Sequence, residues 1–214
     1  LSPRRAGDGT HYSYVDGNGD EFLLPSVTTI LHRVFGLSPW LIPWAYKLGL
    51  EGGESPDELR DRRAKEGTAA HDFVEAYIAD PNDEFEPITG FDKAFLKFVK
   101  DHPEVEFRHS EAEVYSFVHG YAGTLDIIAE IDGKPHVMDI KTKAKNIYKA
   151  YDSELVQCRA YALAAQEMGV IDESAGTAII ILKPNGLYTY DQRSVTEELW
   201  LGTLKLYNLL EAEL

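Results

Sequence analysis

Asp126-Ile127-Ile128-Ala129-Glu130-Ile131-Asp132-Gly133-Lys134-Pro135-His136-Val137-Met138-Asp139-Ile140-Lys141 is the stretch on which the fold turns. Asp-Gly between two apolar-rich runs is a strong signal for a two-residue hairpin. With Asp132 and Gly133 at the turn, Ile131 pairs with Lys134, and counting outward sets Asp126 directly opposite Asp139. Like charges opposed across two strands destabilise a sheet. A hard divalent cation held by oxygen ligands cancels that repulsion. Lys141 lies two residues beyond Asp139 and so shares its face. Two carboxylates and an ammonium on one face suit metal-assisted hydrolysis of a phosphodiester. On the other face, Leu125, Ile127, Ala129 and Ile131 meet Met138 and Ile140, a buried set.

Outward from the hairpin, residues 111–118 supply a preceding strand, giving an antiparallel meander over 111–118, 121–131 and 135–142. Ser153 to Met168 reads as a helix stopped by Gly169. Thr177 to Leu182 is an apolar run expected as a buried strand, turned by Asn185-Gly186 into a partner ending near Tyr190. Upstream, Ser55-Pro56-Asp57-Glu58 starts a helix to about Ala79, with an N-cap, a proline at the first position and a glutamate at the third. Gly90 to Lys100 is a helix with Phe91, Phe95 and Phe98 on one face. Nearer the N-terminus come a hairpin over 12–24, a helix begun by Ser26, and a helix from Ser38 carrying Trp40 and Trp44 as core residues. A final helix capped by Thr196 is expected to bury Leu199, Leu206, Leu209 and Leu210. The expected fold class is α/β, an αβββαβ core with a mixed central sheet flanked by helices and further helices at both ends. One domain covers 1–214: an N-terminal elaboration over 1–54, a core over 55–192 and a C-terminal helix over 193–214.

Composition narrows the function. A hydrophobic content of 44% supports a real core. No apolar run approaches the roughly 20 residues that cross a bilayer, and Leu1 to Thr10 contain no apolar signal region. The expectation is a soluble cytoplasmic protein, in the host cytoplasm if phage-encoded, with no membrane partner. One cysteine, Cys158, excludes an internal disulfide and a four-cysteine iron–sulfur cluster. The net charge of −15 opposes general nucleic-acid affinity, which rests on lysine and arginine neutralising phosphates. The charge is uneven, however. Residues 141–151 hold Lys141, Lys143, Lys145, Lys149, Tyr148 and Tyr151 and no acid, and Arg60, Arg62, Arg63 and Lys65 form a second cluster. A basic, aromatic stripe suits a grip on a short stretch of strand; the alternative is a solvated charged loop.

Several of these residues carry a resemblance. Asp126 followed by Asp139-Ile140-Lys141 resembles the PD-(D/E)xK nuclease signature. Gly67-Thr68-Ala69-Ala70-His71 resembles the Gly-x-x-x-His element of RecB-type nucleases. Gly123-Thr124-Leu125-Asp126 is similar to their Gly-x-x-Asp strand, and Gln157 with Tyr161 to their Q-x-x-x-Y helix. Order and spacing agree over residues 67–161. The set is similar to phage-type and mitochondrial genome-maintenance-type exonucleases, and Pro25-Ser26-Val27-Thr28-Thr29-Ile30-Leu31 is reminiscent of that group.

The resemblance implies a restriction-endonuclease-like fold and a Mg²⁺- or Mn²⁺-dependent DNA exonuclease acting on single strands or strand ends in recombination, repair or replication, with a recombinase or helicase as a further partner. It implies metal ligation by His71, Asp126, Asp139 and the Ile140 carbonyl, with Lys141 orienting or activating the attacking water. Glu113 would touch a second metal or the water, with Glu111 an equally placed competitor. Gln157, Tyr161, Lys143, Lys145, Tyr148 and Lys149 would contact DNA. Two other readings stand beside it: a restriction-type endonuclease, and a non-catalytic nucleic-acid-binding or assembly protein on the same fold. A phosphate-binding GxxxxGK[ST] loop and a GxSxG elbow are both absent from the sequence, which weakens ATPase and esterase readings.

Overall fold

In the computed structural model, which describes residues 4–36, 55–144 and 146–212, the quoted hairpin forms as β5 (Tyr121–Ile131) and β6 (Lys134–Thr142). Asp132 and Gly133 turn it at φ of 50° and 74°, the left-handed pair that a twist-matched two-residue turn requires. Its pairs run from Ile131–Lys134 to Ile127–Met138, the register read from the sequence.

The hairpin is the centre of a five-stranded sheet. β4 (Val105–Ser116), β5 and β6 are antiparallel, β7 (Gly176–Leu182) lies parallel to β6, and β8 (Tyr188–Asp191) closes the edge antiparallel to β7. A parallel neighbour needs a crossover, and α4 (Asp152–Glu167), preceding β7, supplies it. The α/β class and the mixed sheet flanked by helices are therefore as expected. β4 begins at residue 105 rather than 111. Its register shift between Phe107 and His109, and the positive φ of 49° at Glu111, break the alternation that marks a strand in sequence.

Two cores cover the two faces. On one, Val114, Tyr121, Leu125 and Ile128 pack with α1 (Val27–Phe35), α4 and α5 (Glu197–Ala212). On the other, Ile127, Ala129, Met138 and Ile140 pack with α2 (Pro56–Ala79) and α3 (Gly90–Asp101). Leu125 and Ile127 thus enter different cores, although plain alternation puts them together. The exchange of faces happens at Asp126, between them. Reciprocal side-chain caps start α2, between Ser55 and Glu58, and α3, between Thr89 and Asp92. Such caps satisfy amide groups that helix starts leave bare.

The last helix presents a different face from the expected one. Trp200, Thr203, Leu204 and Tyr207 are buried, while Leu199, Leu206 and Leu209 are exposed. The Trp200 indole sits edge-on to Tyr121 at 4.9 Å and sets the rotation of α5. At the N-terminus, β1 (Arg4–Arg5), β2 (His11–Val15) and β3 (Glu21–Pro25) make a small antiparallel sheet. It is tied to β5 by the Tyr12 and Thr124 hydroxyls at 2.8 Å and by a bridge from Ser26 to Ala122. The helix expected from Ser38, with Trp40 and Trp44, and residue Lys145 lie outside the described residues. Among the described residues, no helix is long and apolar enough to cross a membrane.

Candidate metal centre

Both ladders of β5 fail at one residue. The β5–β6 pairs end at Ile127–Met138, one step short of Asp126 and Asp139. The β4–β5 pairs skip Glu111 and Asp126, between Ser110–Ile127 and Ala112–Leu125. Instead of a backbone carbonyl, the Asp126 carboxylate accepts the Ile140 N–H, with Oδ2 at 2.7 Å. The side chain is a wedge that parts β5 from β6. A non-glycine residue at positive φ is strained, and Glu111 has that backbone just across from the wedge.

α2 brings the third group. His71 Nδ1 stands 3.7 Å from Asp126 Oδ2 and 3.8 Å from Glu111 Oε1. One donor atom from each of these three residues falls within 4.8 Å of the others. Small residues let the helix come close: a Cβ on Gly67, one turn before His71, would touch Thr142 Oγ1 at 3.5 Å. Asp139 and Lys141 lie beneath. Asp139 is 1% exposed, and Lys141 Nζ donates to its Oδ1 at 2.9 Å. The ammonium is also 2.7 Å from Oδ2, but out of hydrogen-bond alignment, so this buried oxygen has no donor aimed at it.

The electrostatics follow from burial. Burial pushes the Asp139 carboxyl up to about 6, against the pull of Lys141 and with the help of Asp126. Asp126 is raised as well, first by burial, with Lys141 and His71 opposing. Burial disfavours the Lys141 ammonium, yet Asp139 and Asp126 outweigh it and hold its pKa above the ordinary lysine value. His71 behaves alike: burial lowers it, Glu111 and Asp126 raise it more, and the net shift is upward. The site is thus a crowded set of acids short of positive charge.

This donor set fits a divalent cation. Ligand atoms of one ion lie within about 5 Å of each other, given metal–oxygen distances of 2.0–2.6 Å. Carboxylate oxygens suit Mg²⁺ and Mn²⁺, and an imidazole donor tilts the site toward Mn²⁺. His71, Glu111 and Asp126 would hold the ion; Asp139, expected as a further ligand, lies outside this group with its carboxylate engaged by the Lys141 ammonium. Ile140, whose carbonyl was the fourth expected ligand, is fixed at the break by its N–H on Asp126.

Other expected residues are placed differently. Glu111, not Glu113, joins His71 and Asp126; Glu113 is exposed and pairs with Thr124. Sequence held a signal for this. A tight turn ending at Gly120 sets Ser116 opposite Tyr121, which puts Glu111 level with Asp126. Tyr161, expected on DNA, is buried under Gly123 and takes a hydrogen bond from Gln157 Nε2 at 3.1 Å. Lys143 is buried, paired with Glu154 and set 3.7 Å from the centre of the Tyr151 ring. Its charge is committed to the fold, because a lysine leaves water only when paired. Tyr148 is exposed, with its ring over the buried Lys183 ammonium, and Lys149 is exposed. Beside the centre, a cavity of about 490 Å³ opens between α2 and the segment after β6, lined in part by Arg62, Arg63, Thr142 and Tyr151.

No family model matches this chain. No curated protein matches it either. Twenty chains of solved structures do. Among them is the crystal structure of SSO0001, with a TM-score of 0.36 and 14% identity, the match covering 55% of this chain and 55% of that one. This chain therefore spans about half the length of that structure.

Proposed function

We propose that this chain is a divalent-metal-dependent deoxyribonuclease of the restriction-endonuclease-like type, an exonuclease on single strands or strand ends. One observation carries the reading: His71, Glu111 and Asp126 converge from three elements onto a break in the sheet, within electrostatic reach of the Asp139–Lys141 ion pair. Bound Mg²⁺ or Mn²⁺ would supply charge to the phosphate and an acidified water. His71, Glu111 and Asp126 hold and orient. Lys141, an ammonium in the metal-free site, stabilises charge that builds on the phosphate oxygens. The cavity walled in part by Arg62, Arg63, Glu66 and Thr142 would give the strand a path next to the end of β6. A recombinase or helicase partner and a cytoplasmic location belong to the same proposal.

The test is cleavage of labelled single- and double-stranded DNA in Mg²⁺ and in Mn²⁺. Release of nucleotides from strand ends, lost in Asp139→Ala, supports the reading. A folded protein that cuts neither form in either metal overturns it. A second reading, a non-catalytic assembly protein, draws on the charge of −15 and on the internal use of Lys143; that protein would bind metal and leave DNA intact.

A further inference from the structure

We propose that the face of the β4–β5 hairpin beyond the metal centre is a stacking platform for unpaired bases of the strand being cut. This rests on the nuclease reading and adds what the centre alone lacks, a way to prefer single strands. The register carries it. Glu111 and Asp126 belong to one row of the hairpin, Glu113 and Thr124 to the next, and Tyr115 and Ala122 to the one after. Ala112, Val114 and Leu125 belong to the core under α4, so the residues between and beside them, Glu113, Tyr115 and Thr124, lie on the opposite face, that of α2 and His71. Tyr115 therefore lies on the metal-centre face, roughly 13 Å along the strand from Glu111. Phe117 follows two residues later.

The small N-terminal sheet extends this row. The Phe117 ring is 4.7 Å from Tyr115 and 4.7 Å from Tyr14, and Tyr14 stacks on Phe22 at 5.2 Å with 20° between planes. Tyr12 anchors the sheet through its hydroxyl contact with Thr124, two residues from Asp126. Phe117 and Phe22 are each 45% exposed. Four contiguous rings, two of them open to solvent, continue the row that begins at the metal ligands. Aromatic rings accept any base by its π-face, which suits an enzyme without sequence preference. The nearby acids, Glu113 and Glu21, repel phosphates. The occupant therefore meets the rings through its bases, with its backbone turned outward. An unpaired strand can do that and a duplex cannot, because its bases are already stacked. At the stacked rise of 3.4 Å the gap to the platform takes about four nucleotides.

The experiment compares parent, Phe117→Ala, Phe22→Ala and Phe117→Trp on a long oligothymidylate, on duplex DNA, and on bis(p-nitrophenyl) phosphate, a diester too small to reach the platform. Each alanine variant should raise KM for the oligothymidylate about tenfold and leave kcat within about twofold. Hydrolysis of the small diester should not change. The slope of log KM against log salt should also stay, since phosphate contacts set it. Phe117→Trp should restore the parent KM, which separates a stacking role from a packing one. Unchanged KM in both alanine variants overturns the platform while the nuclease reading stands. So does a concentration-dependent dimer, seen by ultracentrifugation, that Phe117→Ala dissociates, because a second copy is then the occupant. A parent that cuts no DNA overturns the nuclease reading and the platform with it.

Discussion

The ring of Tyr161 stands where a side chain on Gly123 would have to go: a Cβ at position 123 would lie 2.4 Å from Tyr161 Cε1. Gln157 donates to the hydroxyl of the same ring, so a chain of contacts runs from α4 through Tyr161 to β5, the strand that carries Asp126. The glycine and the tyrosine belong to separate sequence motifs, and one is the void that the other fills. The pair positions Asp126.

Gly123→Ala should therefore destabilise the protein by about 1–3 kcal/mol, the usual cost of overpacking. In a Tyr161→Leu background the same alanine should cost clearly less, because its obstacle is gone. Urea denaturation of the four proteins measures the coupling. Strict additivity would mean that the ring and the strand do not press on each other.

Two neighbouring glutamates separate the observed site from the expected one. Glu111→Gln should weaken Mn²⁺ binding, read by calorimetry, by about tenfold or more. Glu113→Gln should leave it near the parent value, since Glu113 is outside the group around His71. The reverse order would place the ion on the other row of the hairpin.

Removing one charge from the empty site should stabilise it. Asp126→Asn keeps an oxygen for the Ile140 N–H and relieves the crowding around Asp139. Opposed like charges on a sheet cost about 0.2–1 kcal/mol, so in chelator the variant should melt about 1–3 °C above the parent. Asp139 fixes the pH dependence. Its folded pKa, about 6, exceeds the ordinary 3.8, so the folded state holds that proton more tightly than the unfolded chain. Its contribution to stability falls as pH rises from about 4 to about 6. The variant should flatten that fall, and Mn²⁺ should reverse the order of melting by binding the folded parent. Thermal melts across this pH range, with chelator and with Mn²⁺, are the check. A variant that melts lower in chelator contradicts shared crowding.

The segment after β6 is clamped by Asp191. Its Oδ2 accepts the Ala150 N–H at 2.9 Å, and the Arg193 guanidinium bonds both its carboxylate oxygens and the Ala150 carbonyl. The hydrogen bonds from Arg193 are the main reason that the carboxyl is held down at about 2, below the ordinary 3.8. A depressed acid contributes stability above its unfolded pKa and loses it as pH falls through the folded one. The clamp should be worth about 2 kcal/mol, complete above pH about 4 and lost by pH about 2. Asp191→Asn should remove this acid-side loss and lower stability at neutral pH, seen in denaturant melts from pH 7 downward. Equal acid sensitivity in both proteins would rule the clamp out.

The hairpin was legible because its turn, its alternation and its acids point to one register. Ile127–Met138 and the turn at Asp132-Gly133 are where counting put them. What could not be read is local and conformational. No residue type announces that Glu111 takes a left-handed backbone, or that Leu125 and Ile127 enter opposite cores; Glu111 is told from Glu113 only by the register that the turn at Gly120 sets. Lys143 escaped for another reason: sequence shows that it is charged, not that Glu154 has already claimed it. The last helix carries leucines on several faces, and packing of Trp200, Leu204 and Tyr207 into the core, with Trp200 against Tyr121, selects among them.

The wedge at Asp126 also has a bearing on how such a site is lost. The β5–β6 pairing stops one step short of Asp126, where its carboxylate is seated on the Ile140 amide in place of a backbone partner. Unpaired backbone in a sheet is costly, so β5 and β6 gain by zipping shut whenever the wedge is removed. A small apolar residue at position 126 would let the seam heal, yielding a better sheet and an inert protein. The sheet is thus held ajar at Asp126, and a relative under no demand for a group at this break would be expected to close it.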